Sequence, residues 1–328
     1  MEDSKVYCLH IVEEAENADG MGEVGIDGAG EADKAAMENS RIDIVLSSRL
    51  KSLSRSYVQK LLKEGKVQVN GQAVKPNYHV RCGDDIRLEL PPVTAPDILP
   101  ERIPLDILYE DEDLLVVNKP KGMVVHPAPG HYTGTLVNAV MEHCKDNLSG
   151  INGILRPGIV HRIDRDTTGS IIICKNDFAH NHIAAQLKGH SLVRRYHAIC
   201  YGILKEEETT ISAPIGRHPI ERKKMAVNEK NGKPAVTHIK VLRRFENYTY
   251  VECRLETGRT HQIRVHMASM EHPLLGDIMY APGRKCPHKL EGQCLHAKIL
   301  GFHHPRTGQY IETDAPLPDY FQHLLDIL

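Results

Sequence analysis

The sequence predicts an α+β fold with a mostly antiparallel sheet, preceded by a small α/β domain. Three observations carry that expectation. Short alternating stretches outnumber helical stripes over residues 105–328, and no βαβ rhythm joins them. A basic segment over residues 41–90 combines two short helical patterns with a hairpin signal. Between the two, Pro91, Pro92, Pro96, Pro100 and Pro104 make residues 91–104 a stiff linker. With 328 residues the chain is long enough to bury two cores.

The elements follow in order. Residues 4–13 read as one edge strand. From Glu14 to Ser40 the chain is mostly Gly, Ala, Asp and Glu, with too little apolar surface to offset the entropy of ordering. Residues 1–40 are therefore expected to hold a strand and an acidic disordered segment. They carry eleven acids against two lysines, so the net charge of −2 hides a basic remainder. That surplus suits an anionic partner.

Within residues 41–90, Arg41-Ile-Asp-Ile-Val-Leu46 opens a helix. Ser54 is placed to cap a second, whose apolar stripe is Val58, Leu61 and Leu62. Val67 to Val74 alternates around Asn70-Gly71, a strong hairpin signal. Ten Lys or Arg stand against five acids here. Order and charge together resemble the RNA-binding domain named after ribosomal protein S-four. That resemblance implies phosphate contact, with Arg41 and Arg55 as candidates, read through charge and shape more than base sequence.

From Leu105 onward, Ile107 to Asn118 reads as strand, acidic turn, strand, and Lys119 to Pro127 as a turn with a short extended piece. The most charged stretch is His161-Arg-Ile-Asp-Arg-Asp-Thr-Thr-Gly169. Gly158–Val160 and Ser170–Cys174 flank it as expected buried strands, so the charges sit on a loop held by the core. Asp177 is expected to cap a helix with Ile183, Ala184 and Leu187 inward. Arg195 to Tyr201 alternates, which puts Tyr196, Ala198 and Cys200 on one strand face. At the end, Phe321, Leu324, Leu325 and Leu328 share one helical face.

A second charged cluster runs from Leu255 to Met267. Gly258 is expected to end a strand and Thr260 to cap a helix that buries Ile263, Met267 and Met270. Arg264 points away from that stripe. An Arg in the first turn opposes the helix macrodipole and calls for an acidic partner, which Asp164 supplies.

Several classes are excluded. No apolar run reaches 18 residues and the N-terminus lacks a basic-then-apolar signal, so a soluble, cytoplasmic protein without a membrane partner is expected. The eight Cys are scattered without a CxxC pair and read as reduced thiols. Cys286, His288, Cys294 and His296 lie close together but match no usual zinc spacing, and the sequence distances among His126, His161 and His261 decide nothing about a metal set. No Walker loop, dinucleotide fingerprint or HExxH motif is present, so no cofactor and no metal are expected.

Four ordered motifs now resemble one family. His161 to Gly169 is similar to the HRLDxxTSG motif of the RluA/RluD family of RNA pseudouridine synthases, and Asn118 to Pro127 to that family's first motif. Arg195-Tyr196 and Gly258-Arg-Thr-His-Gln-Ile-Arg-Val-His266 resemble two further motifs. Ile215-Gly-Arg-His-Pro219 and Lys233 to His238 resemble the RluD branch. The departures (Ile163 for Leu, Thr168 for Ser, Arg195 for Lys or Glu) remove no functional group.

The resemblance implies a cofactor-independent isomerase that detaches uracil from ribose, turns it and rejoins it through ring carbon 5, most naturally in large-subunit (23S) ribosomal RNA or the assembling subunit. It implies that Asp164 is the essential carboxylate, attacking the anomeric carbon or removing a neighbouring proton. Arg264 is its partner, and Tyr196 stacks on the uracil. Arg162 then enters the space left by the flipped nucleotide, Arg165 reaches phosphate or Asp166, and His161, Arg259 and Lys119 complete the substrate site, Lys119 as pocket wall. A monomer is expected. The competing readings are a non-catalytic RNA-binding assembly factor and a carboxylate-using hydrolase of small nucleosides. Intact Asp164, Tyr196 and Arg264 weigh against the first, the leading RNA-binding domain against the second.

Overall fold

A computed structural model describes residues 5–11, 39–50, 53–90, 98–128, 131–145, 147–151, 156–221, 223–284, 286 and 290–328. The expected disorder after Glu14 and much of the linker lie outside these residues. The chain divides into two compact units, residues 1–95 and 96–328.

In the first unit, β1 (Lys5–His10), β2 (Val67–Val69), β3 (Gln72–Ala73) and β4 (Asp85–Leu90) form an antiparallel sheet in the order β1-β4-β2-β3. The N-terminal strand thus takes an edge of the same sheet as the hairpin. Asn70 and Gly71 both adopt positive φ at its turn, which explains the Asn-Gly pair. Helices α1 (Ile42–Arg49) and α2 (Arg55–Lys63) cover the sheet, and Ser54 Oγ accepts from Tyr57 N–H at the start of α2. Val58, Leu61 and Leu62 meet Ile42, Leu46 and the strand residues Val67, Ile86 and Leu88 in one core.

The second unit is built on a nine-stranded sheet. Its elements are β5 (Ile107–Glu110), β6 (Leu114–Lys119), α3 (Leu136–Cys144), β7 (Thr168–Cys174), α4 (Asp177–Lys188), β8 (Val193–Tyr201) and β9 (Glu208–Ser212), then the separate hairpin β10 (Ile215–Arg217) and β11 (Met225–Val227). After these come β12 (Val236–Arg244), β13 (Tyr248–Leu255), α5 (Gln262–Ser269), β14 (Leu295–His303), β15 (Tyr310–Asp314) and α6 (Asp319–Ile327). The sheet order is β5-β6-β7-β14-β8-β13-β12-β9, with β15 beside β14. Every pairing in it is antiparallel except β7 with β14.

Both sheet faces are covered, so β7 is buried throughout and reads as a continuous apolar run rather than an alternation. Ile171 and Ile173 face the core of α3 and α5, while Ile172 and Cys174 face that of α4. The parallel junction brings β14 very close: a Cβ at Gly169 would lie 2.3 Å from Ala297 O. Only glycine fits there. The charged loop enters the sheet at this junction.

Four local expectations are corrected. Gly158–Val160 forms no strand but one bridge, Ile159 with Ile173, because Gly158 turns at φ +71 against Cys174 O. The cap of α4 is Asn176, whose Oδ1 accepts from Ala179 N–H, while Asp177 accepts from Ser149 Oγ; Ala179, His180 and Ile183 are the buried residues. Strand β13 stops at Leu255, since Thr257 Oγ1 takes Val236 N–H in place of a ladder carbonyl. Helix α5 begins after His261, itself left-handed at φ 57, and Thr260 does not cap it. Among the described residues no helix is long and apolar enough to cross a membrane.

Candidate active site

The loop before β7, the face of β8 and the start of α5 converge on a cavity of about 480 Å³. Ile163 is buried in the core and anchors the loop, leaving Arg162 and Asp164 on either side of it to line the cavity. Tyr196 comes from β8, and His161, Arg259 and Arg264 complete the part that sequence reasoning foresaw. Among the described residues five guanidinium or ammonium side chains line the cavity against one carboxylate, Asp164. An anionic ligand suits that balance.

Asp164 and Arg264, a hundred positions apart, are in contact: Arg264 Nη1 donates to Asp164 Oδ2 at 2.9 Å. Arg264 is buried, and its other side is held by Asp277, with Nε to Oδ2 at 2.7 Å and Nη2 to Oδ1 at 3.0 Å. Burial pulls the guanidinium down, but Asp277 and Asp164 outweigh it and its pKa is raised. Asp277 also accepts from Met279 and Tyr280 N–H, which fixes it at the turn after Gly276. Sequence reasoning missed Asp277. Its one signal is an acid directly after the apolar Leu274-Leu275-Gly276, where a solvated carboxylate is out of place.

Gln262 was also missed. Its Oε1 accepts from Thr257 Oγ1 and Arg259 N–H while its amide donates to Val236 O and Thr237 Oγ1, tying the turn before α5 to β12. A further chain of contacts reaches Asp164 through His261. Met225 N–H donates to Tyr280 Oη at 2.9 Å, Tyr280 Oη and His261 Nδ1 are 2.8 Å apart, and His261 Nε2 lies 3.8 Å from Asp164 Oδ1. Burial holds the His261 ring below its ordinary pKa against the pull of Asp164.

The remaining candidates divide by environment. Tyr196 is buried, which raises its phenol pKa. Arg162 is exposed and donates to His126 Nε2 at 3.2 Å, with burial and then Arg162 lowering His126 to about 4. His161 Nε2 accepts from Ile172 N–H at 3.1 Å, and burial pulls it down to about 3, so it is a neutral acceptor. Arg165 turns outward and pairs with Asp166 through two hydrogen bonds of 2.9 and 3.0 Å. Arg259 donates to Pro234 O at 2.9 Å. Lys119 is fully buried and donates to Pro120 O, Met123 O and Arg165 O at 2.7–2.9 Å. Burial lowers it to about 7, yet three carbonyl acceptors match the three N–H bonds of the charged form. It braces the loop carrying Asp164 from behind.

Arg41 and Arg55 lie in the first unit and share a buried anchor. Both donate to Asp43, at 3.0–3.1 Å and 3.0 Å, and Gln59 adds a third partner. Burial pushes Asp43 up, but these bonds overcome it and its pKa is lowered. Both guanidinium groups remain partly exposed. Among the described residues no three His, Cys, Asp or Glu side chains gather as a metal site. His296 has both ring nitrogens engaged, by Thr168 Oγ1 and Ala315 O, and His288 lies outside the described residues.

Known proteins resemble this chain over most of its length. Residues 113–269 match the RNA pseudouridylate synthase family, and residues 40–86 match the S4 domain. The chain is 53% identical over 291 residues to the uncharacterized RNA pseudouridine synthase YlyB of Bacillus subtilis (strain 168), covering 89% of this chain and 95% of that one. It is 45% identical to the ribosomal large subunit pseudouridine synthase D of Zymomonas mobilis, covering 88% and 93%. Among solved structures, human RNA pseudouridylate synthase domain containing 1 superposes with a TM-score of 0.55 at 26% identity, over 66% of this chain and 85% of that one. With the two partners expected from separate motifs in contact inside one cavity, and this likeness running over most of the chain, the protein belongs to the RNA pseudouridine synthase family: an isomerase of uridine in RNA that carries an S4 domain ahead of its catalytic unit.

Proposed function

We propose that the enzyme converts specific uridines of large-subunit ribosomal RNA to pseudouridine, with Asp164 as the essential carboxylate and without metal or cofactor. The observation that carries this is the Asp164–Arg264 pair in a cavity whose other charged lining side chains, among the described residues, are all cations. The names of the relatives that act on the ribosomal large subunit support the choice of RNA. Tyr196 offers its ring to the everted uracil. Arg162, exposed beside Asp164, occupies the gap that the everted nucleotide leaves in the RNA, and Arg259 and Arg165 face the backbone. Everting a base costs a few kcal/mol, least in a loop, so loop or bulge uridines are the expected targets. Arg41 and Arg55, aligned by Asp43, grip phosphate from the S4 domain. The protein works as a cytoplasmic monomer on this reading.

A binding protein without chemistry has no use for this pair, because an Arg buried between two carboxylates is a doubtful source of stability. The test is Asp164→Asn. Pseudouridine mapped in ribosomal RNA from cells carrying this variant should be missing at the enzyme's positions, with RNA affinity of the purified variant within a few-fold of wild type. Unchanged pseudouridine at every position would refute the assignment.

A further inference from the structure

Of the two buried cations of the cavity, Arg194 and Arg264, the first has no acidic partner among the described residues. Arg194 lies on β8 two residues before Tyr196, so both side chains project from the same strand face into the cavity with Asp164. The residue is only 6% exposed. Nη2 donates to Glu256 O at 3.0 Å, a carbonyl that His190 Nδ1 also contacts at 2.6 Å. Among the described residues Nε is buried without a hydrogen-bond partner. No carboxylate among the described residues pairs with it, and burial lowers its pKa.

The surroundings are shaped to hold it there. A Cβ at Gly258 would come within 2.6 Å of Arg194 Nη1, so the glycine of the Gly258-Arg-Thr-His motif makes room for this guanidinium. A buried cation without a counter-charge and with an unmet N–H is costly, and such groups persist where a ligand completes them. Here the ligand must offer a hydrogen-bond acceptor and negative charge at the inner wall beside Tyr196.

We propose that Arg194 is a base-binding catalytic residue, donating to a carbonyl oxygen of the everted uracil and countering the charge the base carries while it is detached. The inference rests on the reaction proposed above. In that reaction the C1′–N1 bond breaks with its electron pair on the base, which is then a uracil anion delocalised over its ring nitrogen and oxygens. Carbon 5 returns an electron pair to C1′, sheds its proton, and N1 takes one up, so no atom is gained or lost. A donor that meets charge only while the base is detached lowers the barrier more than it tightens binding. A phosphate contact by the same guanidinium would behave in the opposite way.

The experiment compares Arg194→Gln and Arg194→Lys with wild type in single-turnover pseudouridine formation on a ribosomal RNA transcript, with RNA affinity measured at several salt concentrations. Arg194→Gln should slow the saturated rate on the order of 10²-fold, with affinity and salt slope unchanged, and Arg194→Lys should recover part of that rate. On RNA carrying 5-fluorouridine, followed as loss of the N1-linked nucleoside because carbon 5 there has no proton to shed, the deficit should shrink, since the electron-withdrawing fluorine stabilises the anion without help. A saturated rate within threefold of wild type overturns the proposal, as does weakened binding with a salt slope reduced by about one, the mark of a phosphate contact. An equal deficit on both substrates also overturns it. If Arg194→Gln fails to fold, the Lys variant decides by the same fluorouridine comparison. Should wild type itself form no pseudouridine, the functional reading fails rather than this one.

Discussion

Replacing Asp277 with Asn tests how the catalytic carboxylate is held. Asp277 is fully buried, and both its oxygens accept from Arg264, at 2.7 and 3.0 Å. In the Asn variant one oxygen still takes the Met279 and Tyr280 N–H groups, but an NH₂ now faces the Arg264 Nε–H. The guanidinium is left buried with one carboxylate instead of two. Breaking a buried pair in this way costs about 3–5 kcal/mol. For a unit of this size about 1 kcal/mol moves the melting point by roughly 2–4 °C, so the Asn variant should melt about 10 °C lower. Asp164→Asn is the control. Asp164 is partly exposed and loses one charged hydrogen bond, worth about 1.5–3 kcal/mol. Thermal melts and single-turnover rates therefore separate the residues: Asp277→Asn harms stability more, Asp164→Asn harms chemistry more. An Asp277 variant melting within about 2 °C of wild type, or melting above Asp164→Asn, refutes the argument that Asp277 carries the arginine.

Three further outcomes are expected. His261→Asn keeps a residue type that tolerates the left-handed backbone and can still reach Tyr280, but it cannot reach Asp164; its saturated rate should fall about tenfold, since small misplacements at a reacting group are expensive, while His261→Gln should recover part of it, and equal rates for both would remove His261 from the site. Burial holds His161 near 3 and His126, His197 and His296 near 4, against an ordinary 6.5; the unfolded chain then binds protons that the folded chain refuses, so the melting point should be highest above pH 6.5 and fall steadily toward pH 4, and a flat profile over that window would show these rings to be hydrated. In the first unit the lowered pKa of Asp43 means that its stabilisation is complete above about 3.8 and is lost as pH falls further; Asp43→Asn should cost about 3 kcal/mol in urea unfolding at pH 7 and less at pH 2, with RNA binding weakened because Arg41 and Arg55 lose their anchor.

What the sequence made legible was local. Ser54 caps α2, Asn70-Gly71 turns a hairpin, and the buried run of β7 is apolar at alternate and intervening positions alike, because each of these depends on neighbours a few residues away. The missed residues all work across the chain. Asp43, Gln262 and Asp277 are polar groups buried by elements that no periodicity links to them. Arg194, one residue ahead of the alternating stretch that begins at Arg195, carried no signal in the sequence, and only the fold shows it buried with no carboxylate partner among the described residues. Thr260 looked like a cap because capping preference is a local rule, whereas the left-handed His261 is imposed by its Tyr280 contact and by Gln262 reaching back to β12. The family motifs supplied order where periodicity could not, and so the Asp164–Arg264 pair was reachable from sequence while its third member was not.

That third member explains why the pair is suited to the proposed chemistry. An Arg facing a single carboxylate prefers the two-bond fork, which would occupy both oxygens of Asp164. Asp277 takes the fork instead, through Nε and Nη2, and only Nη1 is left for Asp164 Oδ2. Asp164 Oδ1 then has no guanidinium contact among the described residues, and the His261 ring lies beside it, with Nε2 at 3.8 Å. On the proposed reaction Oδ1 is the oxygen free to meet the ribose. The Arg in the first turn of α5, unfavourable by the helix dipole alone, is thus tolerated because two acids from outside the helix hold it, one to lock its position and one to act.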